Sequence, residues 1–249
     1  MARERETSVP AQSRPILEWM REGEARFRGQ LEGLTDDEFG APSALPDWSR
    51  AHVAAHVARN AEAVSRLLVW ARTGQESQMY PDMDTRNRDI ETAARQSPAA
   101  LRADVGRTAA RFDAEVVALP KAAWSARVRT FHGREIPAPD VLWMRTREVW
   151  LHLVDLDTGT AVESWPGDLV DVLLNEVITT MNGHPDSPSL RLCATDRDQD
   201  WTLGPDPGTG AARQEVSGKA ADLLAWLTGR STGVGLATAG MLPDPPHWM

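Results

Sequence analysis

Residues 139–156 are so apolar that the chain has few ways to fold them. After Pro139, which suits the first turn of a helix, come Leu142, Trp143, Met144, Val149, Trp150, Leu151, Leu153, Val154 and Leu156. At 100° per residue, Val141, Arg145, Glu148, His152 and Asp155 share one narrow stripe. By periodicity alone that stripe is most simply a solvent face. Against this, a helix so apolar is mostly buried, and His is an unusual choice for a plain wet face. Glu148 and His152 stand four apart, so a carboxylate and an imidazole point the same way from successive turns. A histidine from another helix would complete a two-His, one-carboxylate set. Catalytic zinc uses such sets, with the fourth position left open. The segment 51–56 supplies candidates in His52 and His56.

The chain has 249 residues, enough for one large domain or two small ones. Its net charge of −9 argues against nucleic-acid binding, which draws on basic contacts to phosphate. No apolar run approaches the roughly 20 residues of a membrane span, and residues 1–15 are polar and charged, without a signal-like apolar region. The expectation is a cytoplasmic protein, bound neither to membrane nor to nucleic acid.

Organisation changes partway along the chain. The first part reads as helices over 14–34, 49–73 (Ser49 as cap, Gly74 as stop), 85–96, 97–119 (Ser97-Pro98 as start) and 139–159. Thr35 to Glu38 forms a capping box for a short turn, and residues 128–131 and 134–136 flank His132-Gly133 as a short hairpin. Residues 163–167 read as a linker. Beyond it come a helix over 168–181, strands over 190–194 and 214–217 about a turn-rich stretch 204–210, a helix over 220–227, and an extended proline-rich tail at 243–248. The expected fold class is α+β: a helical bundle in residues 1–162, then a smaller α+β domain in residues 163–249.

Competing chemistry has little support. His52-x-x-x-His56 lacks the zincin glutamate, because position 53 is valine. There is no phosphate-binding glycine loop and no Gly-x-Ser-x-Gly elbow. His132, His184 and His247 lie in turns or the tail and read as structural or exposed. Cys193 is the only cysteine. It sits in an alternating strand-like segment, where a small buried apolar residue is the simpler reading than a nucleophile.

Three segments together resemble the mycothiol-dependent maleylpyruvate isomerase family. They are residues 47–61, with Asp47-Trp48-Ser49-Arg50-Ala51-His52; residues 70–74; and residues 142–156, with Trp143-Met144-Arg145-Thr146-Arg147-Glu148-Val149-Trp150-Leu151-His152. The tail from Pro243 to Trp248 is also similar, and the likeness covers all but about the first dozen residues.

The resemblance implies a DinB-like four-helix bundle carrying zinc, followed by a small α+β domain. It implies His56, Glu148 and His152 as metal ligands, with His52 matching a histidine that is not a ligand. It implies Arg86 and Arg230 as holders of the substrate carboxylates, Arg230 placing the site at a domain interface. Ser231 departs from the glycine expected after the second arginine. The implied reaction converts maleylpyruvate, a cis diacid from gentisate breakdown, into fumarylpyruvate. A thiolate adds to the conjugated cis alkene, the carbon–carbon bond becomes single and rotates, and the thiolate leaves a trans alkene. Mycothiol supplies that thiolate, and zinc lowers the thiol's pKa or polarises a substrate oxygen. Two alternatives stand beside this reading. One is a mycothiol S-transferase acting on another electrophile. The other is a non-catalytic helical binding module whose His and Glu are structural.

Overall fold

The computed structural model describes residues 8–208, 212–245 and 248. It divides into two compact units, one ending at Thr158 and the other beginning at Gly159. The division falls four residues before the boundary expected from the linker-like Trp165-Pro166. Residues Val162–Ser164 form a 3-10 turn, and Trp165 is buried in the second unit.

Four long helices make the first unit: α1 (Arg14–Gly33), α2 (Arg50–Thr73), α4 (Pro98–Ala118) and α5 (Pro139–Asp155), with a shorter α3 (Met83–Ala94) beside α2. Around the bundle, α1 packs on α5, α5 on α2, α2 on α4, and α4 closes back on α1. This is the expected DinB-like helical arrangement. Local chemistry sets the helix ends. The Ser49 side chain caps α2 by accepting from the His52 amide, and Gly74 ends it in the left-handed region at φ 73°. Asp82 accepts from the Thr85 amide at 2.6 Å, so α3 starts two residues earlier than the sequence suggested. Pro98 and Pro139 stand in the first turns of α4 and α5. The Thr35 amide donates to Glu38 at 2.7 Å, which turns the chain from α1 into a 3-10 turn at Asp37–Gly40. The short hairpin forms as β1 (Arg127–Arg129) paired antiparallel with β2 (Glu135–Pro137).

Packing is closest where side chains are small. Helix α2 buries Ala51, Ala54, Ala55, Ala58, Ala61 and Ala63, which lets its neighbours approach its backbone. On α1, a Cβ added at Gly23 would stand 2.6 Å from Val149 and 2.7 Å from Trp150 of α5. The Trp150 indole donates to the Trp19 carbonyl in the same seam, at 2.8 Å.

The polar stripe of α5 is not a solvent face. Arg145 is 0% exposed and Asp155 1%. Arg145 donates to Glu24 of α1 at 2.7 Å, to the Val57 carbonyl of α2 at 2.8 Å and to Asn60 at 2.9 Å. His56 and Asn60 of α2 are also buried.

In the second unit, α6 (Gly167–Asn182) and α7 (Ala220–Leu227) pack together and onto a four-stranded sheet. The strands are β3 (Leu190–Ala194), β4 (Asp200–Leu203), β5 (Gln214–Gly218) and β6 (Ala237–Thr238), ordered β4-β3-β5-β6, with β3 and β5 parallel and the other pairings antiparallel. Leu190, Leu192, Trp201, Leu203 and Val216 alternate inward. Strands β4 and β6 had no counterpart in the sequence reading. Cys193 lies in β3 as expected, but it is half-buried rather than buried. Partial burial and the nearby Asp200 carboxylate hold its thiol above the usual value, which disfavours the thiolate. Residues 243–245 carry no regular structure, while Pro246 and His247 lie outside the described residues. No described helix is long and apolar enough to cross a membrane.

Replacing Arg145 with methionine leaves Glu24 as an uncompensated buried charge. Breaking such a pair costs about 3–5 kcal/mol. Urea unfolding of Arg145→Met should show a loss of that size, and the double variant with Glu24→Leu should recover most of it. A single variant as stable as wild type would contradict this role for the pair.

Candidate metal centre

His56 projects from the second turn of α2, which Ser49 fixes. Glu148 and His152 project from successive turns of α5, whose rotation is set by the Arg145 contacts one turn earlier. The two helices therefore aim three donors at one point. Glu148 Oε2 lies 3.0 Å from His56 Nε2 and 3.3 Å from His152 Nε2. The two imidazoles meet edge to face, with centroids 4.6 Å apart. One ligand atom from each residue falls within 4.8 Å of the others. Tetrahedral zinc with ligands at about 2.0–2.2 Å needs donors roughly 3.3 Å apart. The set fits a first-row divalent ion with little rearrangement, and three protein donors would leave one of four tetrahedral positions without a protein ligand. It is the only such group of His, Cys, Asp and Glu among the described residues.

The three groups also set one another's charge. Burial opposes the Glu148 charge, but hydrogen bonds and positive charge from His152 and His56 outweigh it and hold the carboxyl well below its usual range. Burial pushes His56 down, so its imidazole is neutral. For His152, burial opposes the charged form, yet the Asp155 and Glu148 carboxylates raise its pKa above the ordinary value. Asp155 Oδ2 is 2.9 Å from His152 Nδ1. A carboxylate on the far nitrogen fixes ring and tautomer so that Nε2 faces the metal position.

Arg86, on α3, reaches the cluster. Its Nη2 is 3.2 Å from His56 Nδ1, and its guanidinium lies over the Tyr80 ring at 5.8 Å. Tyr80 also hydrogen-bonds Arg86, and burial raises the phenol to about 12. The phenol therefore stays neutral and able to donate. Since Arg86 can only donate, His56 accepts through Nδ1 and carries its proton on Nε2, toward Glu148. On the other side, the Trp48 ring stands 5.5 Å from His56 and 6.2 Å from His52.

His52 does not join the cluster. Its Nδ1 closes the capping box with Ser49, at 2.7 Å from Oγ, and its Nε2 is 3.4 Å from Glu91 of α3. Arg230 belongs to the second unit. It follows Gly229 just beyond α7, and its Nη1 donates to the Thr228 carbonyl at 2.7 Å. The sequence reading missed Trp48, Tyr80 and Asp155 as parts of the site. Asp155 was visible as the i+3 neighbour of His152 on the same stripe. Tyr80 had no signal beyond being the only tyrosine.

A helical bundle whose facing helices aim two histidines and a glutamate at one point, followed by a small mixed-sheet unit, has the makings of a metal-dependent enzyme. Residues 20–157 match the family model for the mycothiol maleylpyruvate isomerase N-terminal domain, and residues 164–247 match that for the C-terminal domain of the same proteins. The chain belongs to the mycothiol-dependent maleylpyruvate isomerase family, a family of enzymes. The fold is similar to the crystal structure of mycothiol-dependent maleylpyruvate isomerase, at 33% identity and a TM-score of 0.88, covering 96% of this chain and 98% of that one. It is equally similar to a histidine-to-alanine mutant of that enzyme, at 32% identity with the same coverage and TM-score. No curated protein sequence matches significantly.

Asp155→Asn removes the carboxylate behind His152 while keeping its shape. Loss of such a partner typically costs 10–100-fold in metal affinity. A competition titration with a chromophoric chelator should show zinc affinity falling by about that factor, with the melting curve little changed. Unchanged affinity would show that Asp155 does not orient the ligand.

Proposed function

We propose that the protein is a zinc- and mycothiol-dependent cis–trans isomerase that converts maleylpyruvate to fumarylpyruvate. The observation that carries this reading is the half-buried His56–Glu148–His152 cluster with Arg86 against it, in a chain of this family whose one cysteine is ill-suited to act as a nucleophile. His56 and His152 through Nε2, and Glu148 through Oε2, would hold the zinc. Bound there, zinc would favour the thiolate of the cofactor or polarise a substrate oxygen. The same ligand set also serves non-haem iron in oxygenases, but cis–trans isomerisation involves no net redox change and needs only a Lewis acid.

The protein's own residues bind and orient the diacid. A neutral imidazole that binds a metal through Nε2 carries its proton on Nδ1, where Arg86 can no longer donate. The Arg86 guanidinium is then available for a substrate carboxylate, which it can hold by two parallel hydrogen bonds. Arg230 holds the other carboxylate. Tyr80, whose oxygen accepts from Arg86, keeps that guanidinium in place. Burial of the cluster limits water, which strengthens each charge-assisted contact.

Elemental analysis should find one zinc per chain in wild type and in His52→Ala, and far less in His56→Ala, Glu148→Ala and His152→Ala. Full occupancy in the last two variants would remove the assignment. Arg86→Ala and Arg230→Ala should each keep zinc and lose roughly ten- to a hundredfold in kcat/KM for the diacid, because one charge-assisted contact is worth about 1.5–3 kcal/mol. Unchanged steady-state kinetics in either variant would take that arginine out of the reading.

Isomerisation should require added mycothiol, and Cys193→Ser should isomerise at the wild-type rate. Full activity in dialysed protein without any thiol would contradict the proposal.

A further inference from the structure

We propose that a second cavity in the first unit, between α2 and α3, binds the hydroxyl-rich end of the thiol cofactor; this rests on the isomerase reading above. The cavity is about 420 Å³ and is lined by Arg59, Glu62 and Arg66 of α2, Gln78 and Tyr80 of the α2–α3 connection, and Asp89 of α3. Its volume falls within the range of small-molecule sites, about 300–1,000 Å³.

Placement is the first argument. The α2 residues of the cavity begin three positions after His56 and end ten positions after it. At 1.5 Å per residue, that is from roughly 4.5 to 15 Å along the helix axis. Thr85 and Asp89, also in the lining, bracket Arg86 on α3. Tyr80 is shared: it lines the cavity and hydrogen-bonds the arginine that touches His56. A ligand seated here has its near end beside the metal-binding cluster.

Charge is the second argument. The two arginines of the lining are matched by two carboxylates, and Arg59 is already engaged, at 3.1 Å from Glu62 and 2.5 Å from Asp104. Such a surface has no net attraction for a dianion, so it is ill-suited to the diacid substrate. It offers Asp89 as acceptor and Gln78 as both donor and acceptor, while Arg66 already donates to the Met79 carbonyl at 2.5 Å and Glu62 already pairs with Arg59; acceptors and donors side by side suit the neighbouring hydroxyls of a neutral polyol. Mycothiol carries its thiol on a cysteine joined to an uncharged sugar–cyclitol pair. Its thiol would reach toward the cluster past Tyr80 while its hydroxyls occupied the cavity.

Two other cavities fit less well. One, of about 510 Å³, is built by Trp226 to Gly229, Ser231, Thr232 and the tail, in the other unit. The other is formed by the 40–49 loop before α2, where Asp47 is the only ionised side chain.

The test is calorimetric titration of the zinc-loaded protein with two thiols: mycothiol, and N-acetylcysteinamide, which has the same thiol without the polyol. Gln78 and Asp89 are both exposed, so the double variant Gln78→Ala, Asp89→Ala should melt like wild type. It should bind mycothiol at least tenfold more weakly and N-acetylcysteinamide within twofold of wild type. Asp244→Ala, in the second unit, should leave both affinities unchanged. Equal weakening for both thiols, unchanged mycothiol affinity, or a loss confined to Asp244→Ala would each overturn the subsite while leaving the isomerase reading standing. A wild-type protein that binds neither thiol would remove both.

Discussion

The buried pair of Arg145 and Glu24 fixes the geometry on which the rest of the first unit depends. A guanidinium at 0% exposure cannot be tolerated without partners. Here those partners come from two helices at once: Glu24 from α1, and the Val57 carbonyl and Asn60 side chain from α2. A buried ion pair is weak evidence for stability, because desolvation offsets much of the attraction. Its directionality is another matter. Each hydrogen bond demands one rotation and one height of α5 against its neighbours. Glu148 and His152 lie one and two turns further on, so the same constraint sets their aim toward His56.

From that anchor a polar chain runs through the site. Asp155 contacts His152, His152 and His56 flank Glu148, His56 meets Arg86, and Arg86 meets Tyr80. The members come from α5, α2, α3 and the segment before α3. Each group fixes the state of the next. Asp155 and Glu148 favour a charged His152; Arg86 requires a neutral His56 with an accepting Nδ1; burial keeps Tyr80 protonated. The arrangement explains why His52, four residues before His56 on the same helix, takes no part: its ring nitrogens are committed to Ser49 and Glu91.

Much of this was legible in the sequence, and the limits have physical causes. The helices were readable because caps and stops such as Ser49, Gly74 and Ser97-Pro98 are local chemistry. Strands β4 and β6 were not, since Asp200–Leu203 and Ala237–Thr238 are too short to show a period and form by pairing with distant partners. The α5 stripe was ambiguous for a related reason. Periodicity shows which residues share a face but not what that face meets. The neighbouring apolar residues held the clue: a helix with Leu142, Val149, Trp150 and Leu153 all buried has no wet side left for Arg145. Tyr80 and Trp48 reach the site from irregular segments, where no repeat betrays a direction.

Formal charge shows why such a cluster suits anionic chemistry. With His152 protonated, the positive charges of His152 and Arg86 cancel the negative charges of Glu148 and Asp155. Exchanging that one proton for a divalent ion raises the group by one unit, leaving it with a net positive charge in a buried setting. Coulomb interactions there are several times stronger than in water. A divalent ion held by three protein donors would therefore favour an anionic fourth ligand. Asp155 keeps one negative charge behind His152, and Arg86 places a positive charge beside His56. With only three protein donors, the cluster also differs from a closed structural zinc site, in which all four positions are filled by protein.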